Sequence, residues 1–374
     1  MSTSSSNPVR DKLTAVRERA KQAVTPIWRA FIDAVRPARQ AQIRATRSVG
    51  ARLPFSVSAP YLFLAPFFIL FSSFLAFPIL YTLYLSFHTY QGIGNATLFW
   101  IDLGPIQFEL TRIAQLEYVG LQNYQRLLGD ALFQNALANT TFILLVQVPL
   151  MIVLGLALAL ALNASWMRFK GLFRTTIALP VAANLVAYAT VFLLLLQDNG
   201  LVNTVFQMLG LPTVPWLSGG TALIPGPLKS VLGTGFWPRI SLVGAVTWRW
   251  TGYNMIILLA GLQSIPQQLY EAAEIDGASR WEKFRYVTLP QLRPVLLFVV
   301  VTSTIGTFRL FSEPLIISEG GAPLSATRTL VVYIYNIAFQ QFQLGYASAM
   351  TVVLVGIVAV LSIVQLRIGG ESDA

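Results

Sequence analysis

Two apolar stretches carry groups able to hydrogen-bond where a simple anchor would carry none. In residues 240–262, Thr247, Thr251 and Asn254 form a polar stripe, and Trp248, Trp250 and Tyr253 add aromatic faces. Hydroxyl, amide and aromatic groups together suit a polyhydroxylated ring, which presents apolar C–H faces and many hydroxyls. The same residues can also cement helix contacts and fill space. In residues 295–318, Thr302, Gly306, Arg309 and Glu313 follow a four, three, four spacing that puts them on one helical stripe. Ionisable groups inside an apolar segment normally face a bundle interior or an aqueous cavity, and Arg309 and Glu313 can pair there. Pro314 lacks an N–H and crowds the carbonyl of Leu310, which predicts a kink that frees backbone acceptors. Arg249 lies off the Thr247 stripe, and its spacing leaves open whether it lines a cavity or meets a neighbouring subunit.

The elements that must position these groups are membrane spans. With 55% hydrophobic and 11% charged residues over 374 positions, the chain lies outside the globular norm of about 25% charged. Six runs are long enough to cross a bilayer: residues 61–87, 140–162, 175–196, 240–262, 295–318 and 345–366. The expected fold is an all-α integral membrane protein of six transmembrane helices, spanning residues 60–367. Of the 26 Lys and Arg, 19 lie in the tail, the 164–174 link, the 271–294 region and the C-terminal end, against five in the alternate loops. By the positive-inside rule both termini then face the cytoplasm. Residues 1–59 form a basic tail, read either as an interfacial amphipathic helix or as a solvated segment, and 368–374 a short cytoplasmic end. The first apolar run is too long for a cleavable signal peptide. The absence of cysteine and the single His88 leave no basis for a disulfide framework or a metal site. Residues 201–209 suit a short helix in the interface plane, and the Pro- and Gly-rich 211–238 an ordered outer cap. The small residues Gly345, Ala347, Ser348, Ala349 and Gly356 allow close helix contacts with another subunit.

Between the fourth and fifth spans lies EAAEIDGASRWEKFRYVTLP, a charged segment in a chain that otherwise avoids charge. Ala272 and Ala273 favour helix, Gly277 permits a left-handed turn, and residues 278–287 can form a second helix that Leu289-Pro290 stops. The result is a helix-turn-helix elbow over about residues 266–293, on the cytoplasmic side by the charge count. Glu271-Ala272-Ala273, Gly277 and Val287-Thr288-Leu289-Pro290 at this spacing resemble the EAA loop of the membrane subunits of binding-protein-dependent ABC importers. LAGLQSIPQQLY, FRTTIALP, YVGLQNYQRLL and the segment from Ser318 to Met350 are similar to the carbohydrate branch, the maltose-type permeases. Gly320-Gly321-Ala322-Pro323 departs from the usual Gly-Gly-Pro, and the 211–238 loop is longer than usual.

The resemblance implies a type I ABC importer permease-like fold in the inner membrane of a prokaryote. It implies a coupling loop of Glu271, Ala272, Ala273, Asp276, Gly277, Leu289 and Pro290 that docks in a cleft of a separate ATPase. It also places the substrate pathway between the fourth and fifth spans. Gly252 and Thr307 thereby join Thr247, Thr251, Tyr253, Asn254, Arg309 and Glu313 as pathway candidates. No GxxxxGK[ST] phosphate loop occurs in the chain, so ATP and Mg are expected on partner ATPase subunits and no enzyme activity here. The implied partners are a second homologous permease subunit, two ATPase subunits and an extracytoplasmic solute-binding protein. The solute expected is a sugar or related polyol; another solute such as glycerol phosphate is the alternative. An autonomous secondary transporter fits poorly, because Glu313 is the one acid inside the six runs. A membrane enzyme would need a nucleophile, base or metal constellation, and none is visible.

Overall fold

The computed structural model describes residues 59–91, 97–102, 107–111, 115–164, 167–220, 224–225, 233–319 and 324–370. The basic tail, the Gly-Gly-Ala-Pro segment and residues 221–223 and 226–232 of the 211–238 loop lie outside the described residues. Of the described residues, those up to Leu80 belong to one unit and those from Tyr81 onward to another.

In the first unit, α1 (Ala59–Phe71) passes through a π turn (Ser72–Ala76) into α2 (Phe77–Ser86), which ends in the second unit. Phe63, Phe67, Phe74 and Leu80 are all exposed, as expected of a helix whose solvent is lipid.

The second unit is helical, as the all-α expectation has it, apart from four short strands after α2. β1 (His88–Gln91) pairs antiparallel with β4 (Gln115–Tyr118), and β2 (Thr97–Asp102) with β3 (Gln107–Thr111). Runs such as TLFWID and QFELT are rich in β-branched and aromatic residues, and antiparallel pairing satisfies their backbone groups locally.

After α3 (Gln122–Gly129), α4 (Ala131–Asn163) begins at Asp130, whose side chain accepts from the N–H groups of Leu132 and Phe133. The other carboxylate oxygen of Asp130 accepts from the hydroxyls of Tyr333 and Tyr346, each at 2.6 Å. Burial works against the ionised form, but these four hydrogen bonds outweigh it and hold the Asp130 carboxyl below its ordinary value. One acid thus ties the start of α4 to two later helices.

The predicted third span is broken. α5 (Lys170–Ala182) and α6 (Leu185–Leu195) meet at 97°, with Asn184 capping α6 through Val186 N and Ala187 N. Pro180 lies in the last turn of α5, before the bend. The short helix α7 (Leu201–Met208) follows, with Asn203 buried and Leu201, Val205 and Leu209 exposed. α8 (Phe236–Ser264) occupies the predicted fourth span.

The elbow is built from α9 (Gln267–Ile275), a turn, and α10 (Arg280–Glu282), followed by a π segment (Lys283–Thr288). Gly277 has φ +78°, and the N–H groups of Gly277 and Ala278 bond the carbonyls of Glu274 and Ala273, which is a Schellman stop. Ser279 and Glu282 then form a reciprocal capping box. Leu289-Pro290 does not stop the chain, contrary to expectation. Pro290 sits in the first turn of α11 (Leu289–Phe308), and the π segment before it shifts the hydrogen-bond register where its N–H is missing. Helix therefore runs unbroken from Arg280 to Phe308.

The predicted fifth span ends early. The helix stops at Phe308, and α12 (Ser312–Glu319) starts afresh, so the interruption falls at residues 309–311 and Pro314 lies harmlessly in a first turn. α13 (Leu324–Thr327), α14 (Leu330–Tyr335) with its π extension (Asn336–Gln340), and α15 (Leu344–Gly370) complete the described residues. Among these, four helices are long and apolar enough to cross a membrane, or five if α5 and α6 count as one span. α8 is 29 residues long but is not one of them, because its Thr, Trp, Arg and Asn lower its apolarity.

The core of the second unit has α4 at its centre. Ala159, Leu162, Met255, Leu258, Leu259, Leu262, Leu292 and Val299 join α4, α8 and α11. Phe133, Ala136, Leu330, Tyr333, Tyr346 and Met350 join α4 to α14 and α15. Gly345, Ala347, Ser348 and Ala349 are buried within the chain, so of the small residues offered for subunit contact only Gly356 remains exposed.

Candidate functional site

The interruption after α11 opens a cavity of about 380 Å³ between α4, α8 and the α11–α12 junction. Gln147 and Met151 come from α4, Val246, Trp250, Tyr253 and Asn254 from α8, and Thr302, Ser303, Gly306, Thr307, Arg309, Leu310 and Glu313 from the last segment. Residues i, i+4, i+7 and i+8 of α8 share one face, so positions 246, 250, 253 and 254 reach the cavity together.

The predicted α11 stripe Thr302, Gly306, Arg309 and Glu313 lines this cavity, as does Thr307. Arg309 and Glu313 do not form an ion pair. Arg309 follows the end of α11 and is exposed, whereas Glu313 is 3% exposed and accepts from Tyr188 Oη at 2.9 Å. The break at residues 309–311 carries the two groups apart, because the continuous helix that would set them one turn apart is absent.

The predicted α8 residues divide. Tyr253 and Asn254 line the cavity, and Asn254 Nδ2 donates to Ser303 Oγ at 3.3 Å. Thr247 and Thr251 are buried outside it, with Thr251 donating its hydroxyl to the carbonyl of Thr247 at 2.7 Å. Gly252 faces α5, and a Cβ there would run into the Ile177 carbonyl. Its role is a close helix crossing. Trp248 packs on Tyr188 and Phe192, while Trp250 meets the Tyr253 ring edge to face at 5.9 Å on the cavity side.

Gln147 and Met151 were missed, since the second span reads as clean. The available signal was the amide of Gln147, a polar group in a long apolar run. It is 2% exposed; its Oε1 accepts from Thr307 Oγ1 at 2.9 Å, and its Nε2 has only Met151 Sδ at 3.6 Å. That leaves a strong donor at the cavity wall with a weak acceptor.

The coupling-loop residues are grouped elsewhere, on the elbow. Glu271, Ala272, Asp276 and Gly277 are exposed, Ala273, Leu289 and Pro290 half-buried. Ile275, Trp281 and Tyr286 present large apolar surface beside them. Lys283 reaches back to Glu274 at 3.5 Å, and Tyr270 Oη meets Thr288 Oγ1 at 3.0 Å, so the two arms are tied.

A largely apolar cavity with a few polar groups in its wall, set among long apolar helices, and an exposed elbow are the parts of a membrane transport component. Residues 138–369 match the family described as "Binding-protein-dependent transport system inner membrane component", and the chain belongs to that family of multi-pass membrane proteins. It is 40% identical over 315 residues to the lactose transport system permease protein LacF of Rhizobium radiobacter, covering 83% of this chain and 94% of that protein. It is 34% identical over 272 residues to the trehalose/maltose transport system permease protein MalF of Thermococcus litoralis, covering 72% and 85%. The fold is similar to a chain in the crystal structure of a bacterial ABC transporter involved in import of the acidic polysaccharide alginate. That likeness has a TM-score of 0.62 and 20% identity, covering 84% of this chain and 96% of that one.

Proposed function

We propose that the chain is one of two permease subunits of an ABC importer and forms half of the translocation pathway for a sugar or related polyol. The observation that carries this reading is the cavity's chemistry. Donors from Gln147, Asn254 and Arg309 and the acceptor Glu313 surround a space walled by Trp250 and Tyr253, the combination a ring with hydroxyls and apolar faces requires. The lactose and trehalose/maltose permeases among its relatives support the same class of solute.

In this reading α8 is a sixth span. Its 29 residues reach about 44 Å at 1.5 Å per residue, and Thr247, Arg249, Thr251 and Asn254 are buried against other helices or in the cavity wall rather than exposed to lipid. The Lys and Arg asymmetry sets both termini and the elbow in the cytoplasm of a prokaryotic cell. The exposed Glu271, Ala272, Asp276 and Gly277 then enter a cleft of an ATPase subunit, with Leu289 and Pro290 carrying its movement directly into α11. ATP and magnesium belong to that partner. One elbow per chain calls for a second, homologous permease and a pair of ATPases, and an extracytoplasmic solute-binding protein delivers the solute.

A second solute class, such as glycerol phosphate, is favoured by one observation: Arg309 stands in the cavity without an ion pair. The test is uptake by proteoliposomes holding the complex purified with its native subunits. Labelled lactose, trehalose, maltose and glycerol 3-phosphate are supplied with the binding protein. A sugar should accumulate only when ATP is present; uptake by this chain without any ATPase would remove the reading.

A further inference from the structure

Behind the cavity wall, three buried polar groups occur in sequence. Glu313 accepts from the Tyr188 hydroxyl at 2.9 Å, and the Tyr188 ring carries the Arg249 guanidinium 4.5 Å from its centroid. Tyr188 is 5% exposed, Arg249 7% and Glu313 3%. Arg249 Nη2 also reaches the carbonyl of Val181 at 3.4 Å. That carbonyl lies in the last turn of α5, where the 97° bend leaves it no helical partner. Only Glu313 of the three lines the cavity.

A buried carboxylate and a buried guanidinium normally meet directly, because each is costly alone. Here the two form no ion pair, Tyr188 touches both, and Nε and Nη1 of Arg249 have no hydrogen-bond partner. The arrangement is therefore poor as a stabilising ion pair. It does serve to aim one carboxylate: Tyr188 occupies one oxygen of Glu313, leaving the other free to accept from a solute, and Arg249 fixes the ring that does so. Because Arg249 spans to the end of α5 and Tyr188 sits in the second turn of α6, the aim depends on the angle of the broken span.

Resting on the sugar-pathway reading above, we propose that Tyr188 and Arg249 are positioning residues. They hold Glu313 as the acceptor for a solute hydroxyl and tie that acceptor to the bend between α5 and α6. Neither touches the solute.

The experiment compares solute molecules imported per ATP hydrolysed in the reconstituted complex, for whichever labelled solute of the panel the wild type imports. Misassembly lowers both quantities together, whereas a misaimed acceptor lowers their ratio. Tyr188→Phe keeps the ring and removes the hydroxyl, and should lower the ratio roughly tenfold, the usual effect of losing a hydrogen bond to a charged group. Glu313→Gln should lower it at least as far. The double variant should be no worse than Glu313→Gln alone, because Tyr188 acts through Glu313. A wild-type ratio in Tyr188→Phe, or losses that multiply in the double variant, would overturn the proposal. If Tyr188→Phe does not assemble, Arg249→Lys is read by the same ratio, and a wild-type value there overturns it equally. Import of glycerol 3-phosphate and no sugar by the wild type would instead remove the sugar reading alone; that solute also carries free hydroxyls, so the Tyr188 and Glu313 ratios measured with it would still decide the positioning roles.

Discussion

Replacing Gly277 by valine isolates one backbone angle. The residue turns α9 into α10 at φ +78°, and a Cβ added there meets nothing within 4 Å, so the substitution creates no clash. The cost is conformational: about 1–2 kcal/mol for an L-residue in the left-handed region, and more for a β-branched side chain. If the turn re-forms differently, the two Schellman bonds to Glu274 and Ala273 are lost as well, at about 1 kcal/mol each. At 1.4 kcal/mol per factor of ten, the native elbow becomes at least about tenfold less populated. The spans do not depend on this turn, so expression and membrane insertion should hold. Uptake and solute-stimulated ATP hydrolysis, measured per assembled complex, should fall about tenfold or more in Gly277→Val. Gly277→Asn should lose much less, because asparagine tolerates the left-handed region. Wild-type coupling in the valine variant would refute the elbow's role.

Gly252→Ala pushes a methyl group into the Ile177 carbonyl, and should lower the complex's thermal midpoint by the equivalent of about 1–3 kcal/mol while leaving solute selectivity intact. A changed selectivity with normal stability would return Gly252 to the pathway. Asp130 has a folded-state pKa below its unfolded value, so its contribution is complete above about pH 4 and is lost as pH falls through the folded value. Asp130→Asn should therefore lower stability at neutral pH and flatten its acid dependence, read from melting between pH 3 and pH 7; parallel curves for the two proteins would contradict this. Arg309→Ala should abolish uptake or change the preferred solute, since Arg309 is the cavity's cation; normal uptake by an assembled Arg309→Ala complex would remove it from the pathway.

The long apolar helices and the helix-turn-helix over residues 267–288 were legible in sequence because long apolar runs and an isolated charged segment have few alternative uses. The strands at residues 88–118 were not, because short alternating runs in a loop carry a weak signal beside six apolar segments. The cavity was half legible. Periodicity put Thr302, Gly306, Arg309 and Glu313 on one face, and all four do line it. The Arg309–Glu313 pairing failed because the kink expected from Pro314 at Leu310 is a full interruption at residues 309–311, with the Leu310 carbonyl accepting from Thr329, and spacing along one continuous helix no longer applies. Thr247, Thr251 and Gly252, expected on the pathway, do not line this cavity for a related reason. A stripe on a helix touched on several sides does not say which neighbour it faces, and here α4 and α5 take those positions. Arg249, left open by the sequence, is settled by the bend between α5 and α6, whose free carbonyl it reaches.

The central claim is that the solute passes through the cavity beside Asn254. The chain has no cysteine, so Asn254→Cys introduces a single thiol at the cavity wall, and Ile256→Cys one on the exposed face of the same helix. The decisive measurement is the rate at which a small, water-soluble maleimide labels each variant in the reconstituted complex, with and without labelled sugar, binding protein and ATP. Asn254→Cys should be labelled from water and a transported sugar should slow the reaction, while Ile256→Cys should be indifferent to sugar. A thiol at position 254 that reacts at the same rate with every solute of the panel, or never reacts, would contradict it.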